Sequence, residues 1–97
     1  MIASKPAVLY VDDNPKSRSL LATVFRDCGF EVITAADPME ALTDCTMFCF
    51  DLALLDYHMP LLSGPELAQK MKRMHPNVPI VMISGCAVLP DTKLLFV

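Results

Sequence analysis

Short runs dominated by apolar residues recur along the chain at Ala7–Val11, Glu31–Thr34, Asp51–Asp56 and Pro79–Ser84. Their brevity and their content of Val, Ile and Leu predict strands, and the unbroken apolar interiors of the first, third and fourth predict burial on both faces. Between the runs the apolar positions change to helical spacing. Asn14-Pro15 is a helix-start signal, because the Asn side chain can cap free N–H groups and the fixed φ of proline suits the first helical position. Leu20, Leu21, Val24, Phe25 and Cys28 then form one apolar face, and Gly29 supplies a stop. Asp37-Pro38 repeats the signal before Met39, Leu42, Cys45, Thr46 and Phe48. After a loop containing Pro60, Ser63-x-x-Glu66 has the form of a capping box, opening a helix with Leu67, Met71 and Met74 on one side.

Strands that alternate with helices and are apolar throughout call for a parallel sheet covered by helices on both faces, with right-handed crossovers. The predicted fold is therefore α/β. Beyond Ser84 the pattern weakens: Cys86–Leu89 is interrupted by Pro90-Asp91, and Leu94–Val97 is an apolar tail. No solenoid repeat, low-complexity segment or internal linker interrupts the rhythm.

A chain of 97 residues with 54% hydrophobic and 20% charged side chains is the size of one compact domain. Eight Lys+Arg against eleven Asp+Glu, a net charge of -3, offer no basic footprint for nucleic acid or anionic lipid. The apolar runs are too short to span a bilayer and no charged-then-apolar leader opens the sequence, so a cytoplasmic location is expected. Reduced thiols are expected at Cys28, Cys45, Cys49 and Cys86. Cys45 and Cys49 lie one helical turn apart, but with only His58 and His75 elsewhere they read as packing residues and not half a metal site. His75, next to Pro76, reads as a helix-end residue, and the seven methionines as core filling. Glycines at 29, 64 and 85 cannot make a Walker loop or a dinucleotide fingerprint, and no Gly-x-Ser-x-Gly elbow exists.

In an open doubly wound sheet, ligands bind beyond the carboxyl ends of the strands. Asp12 and Asp13 follow the first strand, Asp56 ends the third and Ser84 ends the fourth. Taken singly, Asp13 could be a helix cap and Asp56 a turn-starting acid. If the first and third strands are neighbours, however, three carboxylates crowd one crevice and repel each other unless a cation enters. An oxygen-only set of this kind suits a hard divalent ion, Mg²⁺ above others, because it keeps several waters and needs few protein ligands. A carboxylate beside such an ion can attack a phosphoryl donor, and Ser84 could donate a hydrogen bond to a phosphoryl oxygen.

Asp12-Asp13 after the first strand, Asp56 with Met59-Pro60 following, Gly64 at the next helix and Ser84 after the fourth strand together resemble the receiver domain of bacterial response regulators. The resemblance runs from about residue 6 to residue 84, with 85–97 atypical, inside one receiver-like domain spanning 1–97. It implies a flavodoxin-like sheet of strand order 2-1-3-4(-5), with the fifth strand and last helix missing or incomplete. It also implies that Asp56 is the phosphoacceptor for a histidine kinase or phosphotransfer protein. Asp13, Asp56 and the backbone carbonyl of His58 would hold Mg²⁺, with Asp12 acting through a metal-bound water, and Ser84 would follow the phosphoryl group in the switching step. The module would assist its own phosphorylation without turning over a separate substrate.

The departure from the pattern lies at the end of the chain. Receivers continue through a fifth strand ending in a Lys that pairs with the phosphoryl group. Lys93 precedes the expected fifth strand and lacks a following Pro, and Lys5, Lys16, Lys70 and Lys72 sit near the start or on helices, so none is assigned that role. An alternative function follows, a receiver-like interaction domain that works without phosphorylation. A phosphohydrolase of the haloacid dehalogenase type fits less well, since it wants an Asp where His58 stands. Loss of a fifth strand would also bare the edge of the fourth, which predicts self-association through the C-terminal edge, strand exchange or a floppy C-terminal stretch.

Overall fold

The computed structural model describes residues 5–57, 59–83 and 94–96. The alternation takes the predicted order: β1 (Ala7–Val11), α1 (Pro15–Asp27), β2 (Glu31–Ala35), α2 (Pro38–Met47), β3 (Leu52–Asp56), α3 (Gly64–Met74), β4 (Ile80–Ile83) and β5 (Leu94–Phe96). The start signals act as the sequence predicts. The Asn14 side chain accepts from the N–H groups of Lys16 at 2.9 Å and Ser17 at 3.2 Å. Asp37 Oδ1 accepts from Glu40 N at 2.8 Å, and Ser63 and Glu66 form the reciprocal box. Gly29 ends α1 at φ 97°, in the left-handed region where a side chain is strained.

The sheet order is β2-β1-β3-β4-β5, the flavodoxin-like order of the first four strands. β1 pairs in parallel with β2 and β3, and β3 with β4, so the carboxyl ends of these strands share one edge of the sheet. Alternation along β1 splits the core in two. Leu9 and Val11 join Ala41, Cys45, Leu67, Ala68 and Met71 on the face covered by α2 and α3. Val8 and Tyr10, with Leu54 and Val81, pack under Leu21 and Phe25 of α1 on the other.

Cys49 lies past the end of α2 and is exposed instead of packed beside Cys45, and Met47 is exposed and not core filling, because α2 ends at Met47. The structure differs from the sequence reading in two further places. On α1, Leu20 is 66% and Val24 44% exposed, whereas Leu21 and Phe25 pack on the sheet and Ala22 is buried. A helix lying on a sheet buries a stripe narrower than the full apolar face that the sequence offers. Exposed Met39, Phe48 and Met74 show the same narrowing on α2, its C-terminal boundary and α3.

The last difference concerns the fifth strand. It is present over three residues and runs antiparallel, with Val81 opposite Phe96 and Ile83 opposite Leu94. The β4 edge expected to be bare is thus paired along Val81–Ile83. Only residues 84–93 separate the two strands, too short a link for the helical crossover that a parallel fifth strand requires, whereas an antiparallel return needs no crossover. Among the described residues no helix follows β4, and none is long and apolar enough to cross a membrane.

Candidate functional site

Register brings the acids together. Val11, at the end of β1, pairs with Leu55 of β3, so Asp12 and Asp56 each stand one residue further along neighbouring parallel strands. Asp12 N continues the pairing by donating to Ala35 O of β2 at 3.1 Å. One carboxylate oxygen from each of Asp12, Asp13 and Asp56 lies within 4.8 Å of the other two. Asp12 is buried, Asp56 half-buried and Asp13 exposed, so the cluster opens from the sheet toward solvent.

Asp12 is held from several sides. Its Oδ2 accepts from the phenol of Tyr10 at 2.5 Å, a length typical of hydroxyl-to-carboxylate bonds. Its Oδ1 accepts from Asn14 N at 2.9 Å, at the cap of α1. Arg18 Nη1, one turn into that helix, donates to the Asp12 carbonyl at 2.9 Å. Burial, the hydrogen bond to Asp12 and the charges of Asp12 and Asp56 push the Tyr10 phenol well above its usual range, against a smaller opposing effect of Arg18. Tyr10 is therefore a neutral donor at physiological pH.

The loop after Asp56 is fastened on both sides. Tyr57 N donates to Ile83 O of β4 at 3.0 Å, and Gly64 N donates to Tyr57 O at 3.1 Å. The latter contact requires glycine: a Cβ at Gly64 would stand 2.6 Å from the Asp56 carbonyl oxygen and 3.0 Å from Tyr57 Cα. Between them Leu62 N closes onto Pro60 O at 2.8 Å, which puts Leu61 at the centre of a tight turn with φ 73°.

Three of the acids singled out in the sequence thus meet, while His58 and Ser84 lie outside the described residues, as does Lys93. Tyr10 and Arg18 are the contributors that sequence reading missed. Tyr10 passed as an ordinary strand residue, although it stands two positions before Asp12, on the same side of an extended chain, and a buried phenol needs a polar partner. The three carboxylates suit a hard divalent cation on this geometry: the donors are all oxygen, they are within reach of a common ion, and their mutual repulsion is relieved by positive charge.

The model of the response regulator receiver domain matches residues 8–95. The chain belongs to this family. Receiver domains are signalling modules of two-component systems that interact with histidine kinases or phosphotransfer proteins and generally bind Mg²⁺ through acidic residues. The fold agrees with solved receivers. The chemotaxis protein CheY4 of Vibrio cholerae is 34% identical and superposes with a TM-score of 0.77 over 80% of this chain and 67% of that one. The response regulator TrrA of Thermotoga maritima, in complex with Mg²⁺-BeF, is 35% identical with a TM-score of 0.73, over 77% of this chain and 65% of that one. Among curated relatives, the cyclic di-GMP phosphodiesterase response regulator RpfG of Xanthomonas campestris is 37% identical over 79% of this receiver and 21% of its own length. The receiver spans 21 to 38% of the length of the first curated relatives it matches. Membership of this family sets aside the haloacid dehalogenase reading.

Proposed function

We propose that this receiver accepts a phosphoryl group on Asp56 from a histidine kinase or phosphotransfer protein, in a reaction that depends on Mg²⁺. The observation that carries the reading is the convergence of Asp12, Asp13 and Asp56, acids distant in sequence, with oxygens within 4.8 Å of one another at the carboxyl edge of the sheet. Asp13 and Asp56, with the backbone carbonyl of His58, would hold the ion, and Asp12 would act through a bound water. Both Asp12 oxygens already accept a protein hydrogen bond, which supports the indirect role. Bound Mg²⁺ would neutralise the like charge that keeps a phosphoryl donor away from the carboxylates and stabilise the oxygens of the transferring group.

A carboxylate oxygen of Asp56 attacks phosphorus and forms an acyl phosphate. The phosphorus–nitrogen bond of the donor phosphohistidine breaks, and its electron pair returns to the imidazole. The strand end, the Tyr57 N to Ile83 O bond and the close approach of Gly64 hold the backbone around Asp56, which supports a role for its carboxylate as a positioned nucleophile. Ser84 would then bond the phosphoryl group and reposition the loops around it, altering which proteins the surface binds. In this reading residues 1–97 act as one receiver unit in the cytoplasm, and the chain turns over no separate substrate.

The decisive experiment treats the protein with a small phosphodonor and Mg²⁺ and weighs it intact. One added phosphate is expected on wild type and none on Asp56→Ala. Unlabelled wild type, or label that survives in Asp56→Ala, would discard the phosphoacceptor reading. Unlabelled wild type favours the phosphorylation-independent interaction domain.

A further inference from the structure

The side chain of an aspartate at a strand end is poorly fixed by its own torsions, because rotation about the bond to the carboxylate is broad and roughly two-fold. Asp12 is held by its surroundings instead. Tyr10 and Asp12 stand two residues apart and project to the same side of β1, which brings the phenol onto Oδ2. The Tyr10 ring is itself immobilised. It is 1% exposed, and the ring of Phe25 on α1 meets it edge-on at 6.2 Å, with Phe30 against Phe25 in the same manner. Asn14 N grips the other oxygen, so turning the carboxylate would break two hydrogen bonds at once.

We propose that Tyr10 is a positioning residue for the Mg²⁺ site, its phenol holding Oδ2 of Asp12 so that the carboxylate keeps one orientation toward the ion and its water. The inference rests on the Mg²⁺ reading above and adds to it a residue outside the acidic cluster. Partners that orient metal-binding groups commonly affect affinity by one to two orders of magnitude, and a group acting through water belongs at the lower end. Loss of the hydroxyl should therefore weaken Mg²⁺ binding by about tenfold.

The test titrates Mg²⁺ calorimetrically, with no phosphodonor, into wild type, Tyr10→Phe, Asp12→Asn and the double variant. Tyr10→Phe should bind about tenfold more weakly than wild type, and the double variant should match Asp12→Asn within about twofold, because the phenol then has no carboxylate to orient. Wild-type affinity in Tyr10→Phe overturns the role of Tyr10 alone. An equal loss on adding Tyr10→Phe to Asp12→Asn also overturns it, since a general packing effect would not depend on Asp12. Absence of Mg²⁺ binding in wild type overturns the metal reading and this inference with it. A second measurement does not require Tyr10→Phe to fold. The chain has two tyrosines and no tryptophan, so Tyr57→Phe leaves Tyr10 as the sole emitter. Its fluorescence should change saturably at the calorimetric Mg²⁺ midpoint, and emission indifferent to bound Mg²⁺ overturns the proposal.

Discussion

Substitution of Gly64 by alanine should damage both stability and the site, through contact and not through backbone conformation. The Cβ would stand 2.6 Å from the Asp56 carbonyl oxygen, 3.0 Å from Tyr57 Cα and 3.3 Å from Met82 Sδ. Ordinary contact begins near 3.4 Å, so α3 and the end of β3 must separate by up to roughly 0.8 Å, and forced separations of a packed interior cost about 1–3 kcal/mol. For a domain of this size each kcal/mol moves the melting temperature by about 4–8 °C, so a loss of roughly 2 kcal/mol lowers Tm by about 8–16 °C. Gly29→Ala is the control. Nothing lies within 4 Å of its Cβ position, but φ is +97°, so its cost of about 1–2 kcal/mol is backbone strain at a point remote from the acids. Thermal denaturation of both variants, followed by phosphodonor labelling at a temperature where both are folded, separates the effects. Gly64→Ala should label more slowly than Gly29→Ala, because the displaced atoms belong to Asp56 and Tyr57. A Gly64→Ala protein that melts within about 2 °C of wild type, where the Tm scaling gives at least about 4 °C, would refute the contact argument. So would equal labelling of the two variants.

Asn14→Ala removes the acceptor of two N–H groups at the start of α1 and should cost about 1 kcal/mol in urea denaturation, while leaving the Asn14 N–H bond to Asp12 in place. Leu61→Gly should stabilise by about 0.5–1 kcal/mol, because relief of the positive φ outweighs the added freedom of the unfolded chain and a side chain 90% exposed buries little; a lower denaturation midpoint would contradict this. Burial, with Glu40 one turn away adding to it, pushes the Asp44 carboxyl up, and its Oδ2 is buried without a partner. The folded state then holds that proton more tightly than the unfolded chain, so this contribution is full below the unfolded value of 3.8 and is lost as pH rises through the folded one. Asp44→Asn should accordingly be more stable than wild type at pH 7, a gap that closes in acid; equal midpoints at pH 7 would count against it. Burial, helped by Asp44, pushes the Cys45 thiol up to about 11, whereas Cys28 and Cys49 are exposed. Mapped alkylation of the native protein at pH 8 should mark Cys28 and Cys49 and spare Cys45.

The sequence by itself determined the elements, because their signals are local. Asn14-Pro15, Asp37-Pro38 and Ser63-x-x-Glu66 each satisfy free N–H groups within one turn, and each cap forms where it was read. Apolar runs closed by acids likewise marked strands whose ends carry the clustered carboxylates, and a joint motif sufficed to identify the receiver resemblance. What tertiary structure alone decided concerns relations between distant segments. Leu20 and Val24 are as apolar as Leu21 and Phe25, and only the seat of α1 on the sheet leaves the first pair in solvent. The direction of β5 follows from how far ten linking residues can carry the chain, a constraint that its three strand residues do not encode. The partnership of Tyr10 with Asp12 depends on burial under Phe25 and on the capped start of α1, so it emerges only when strand, helix and acid occupy the same corner.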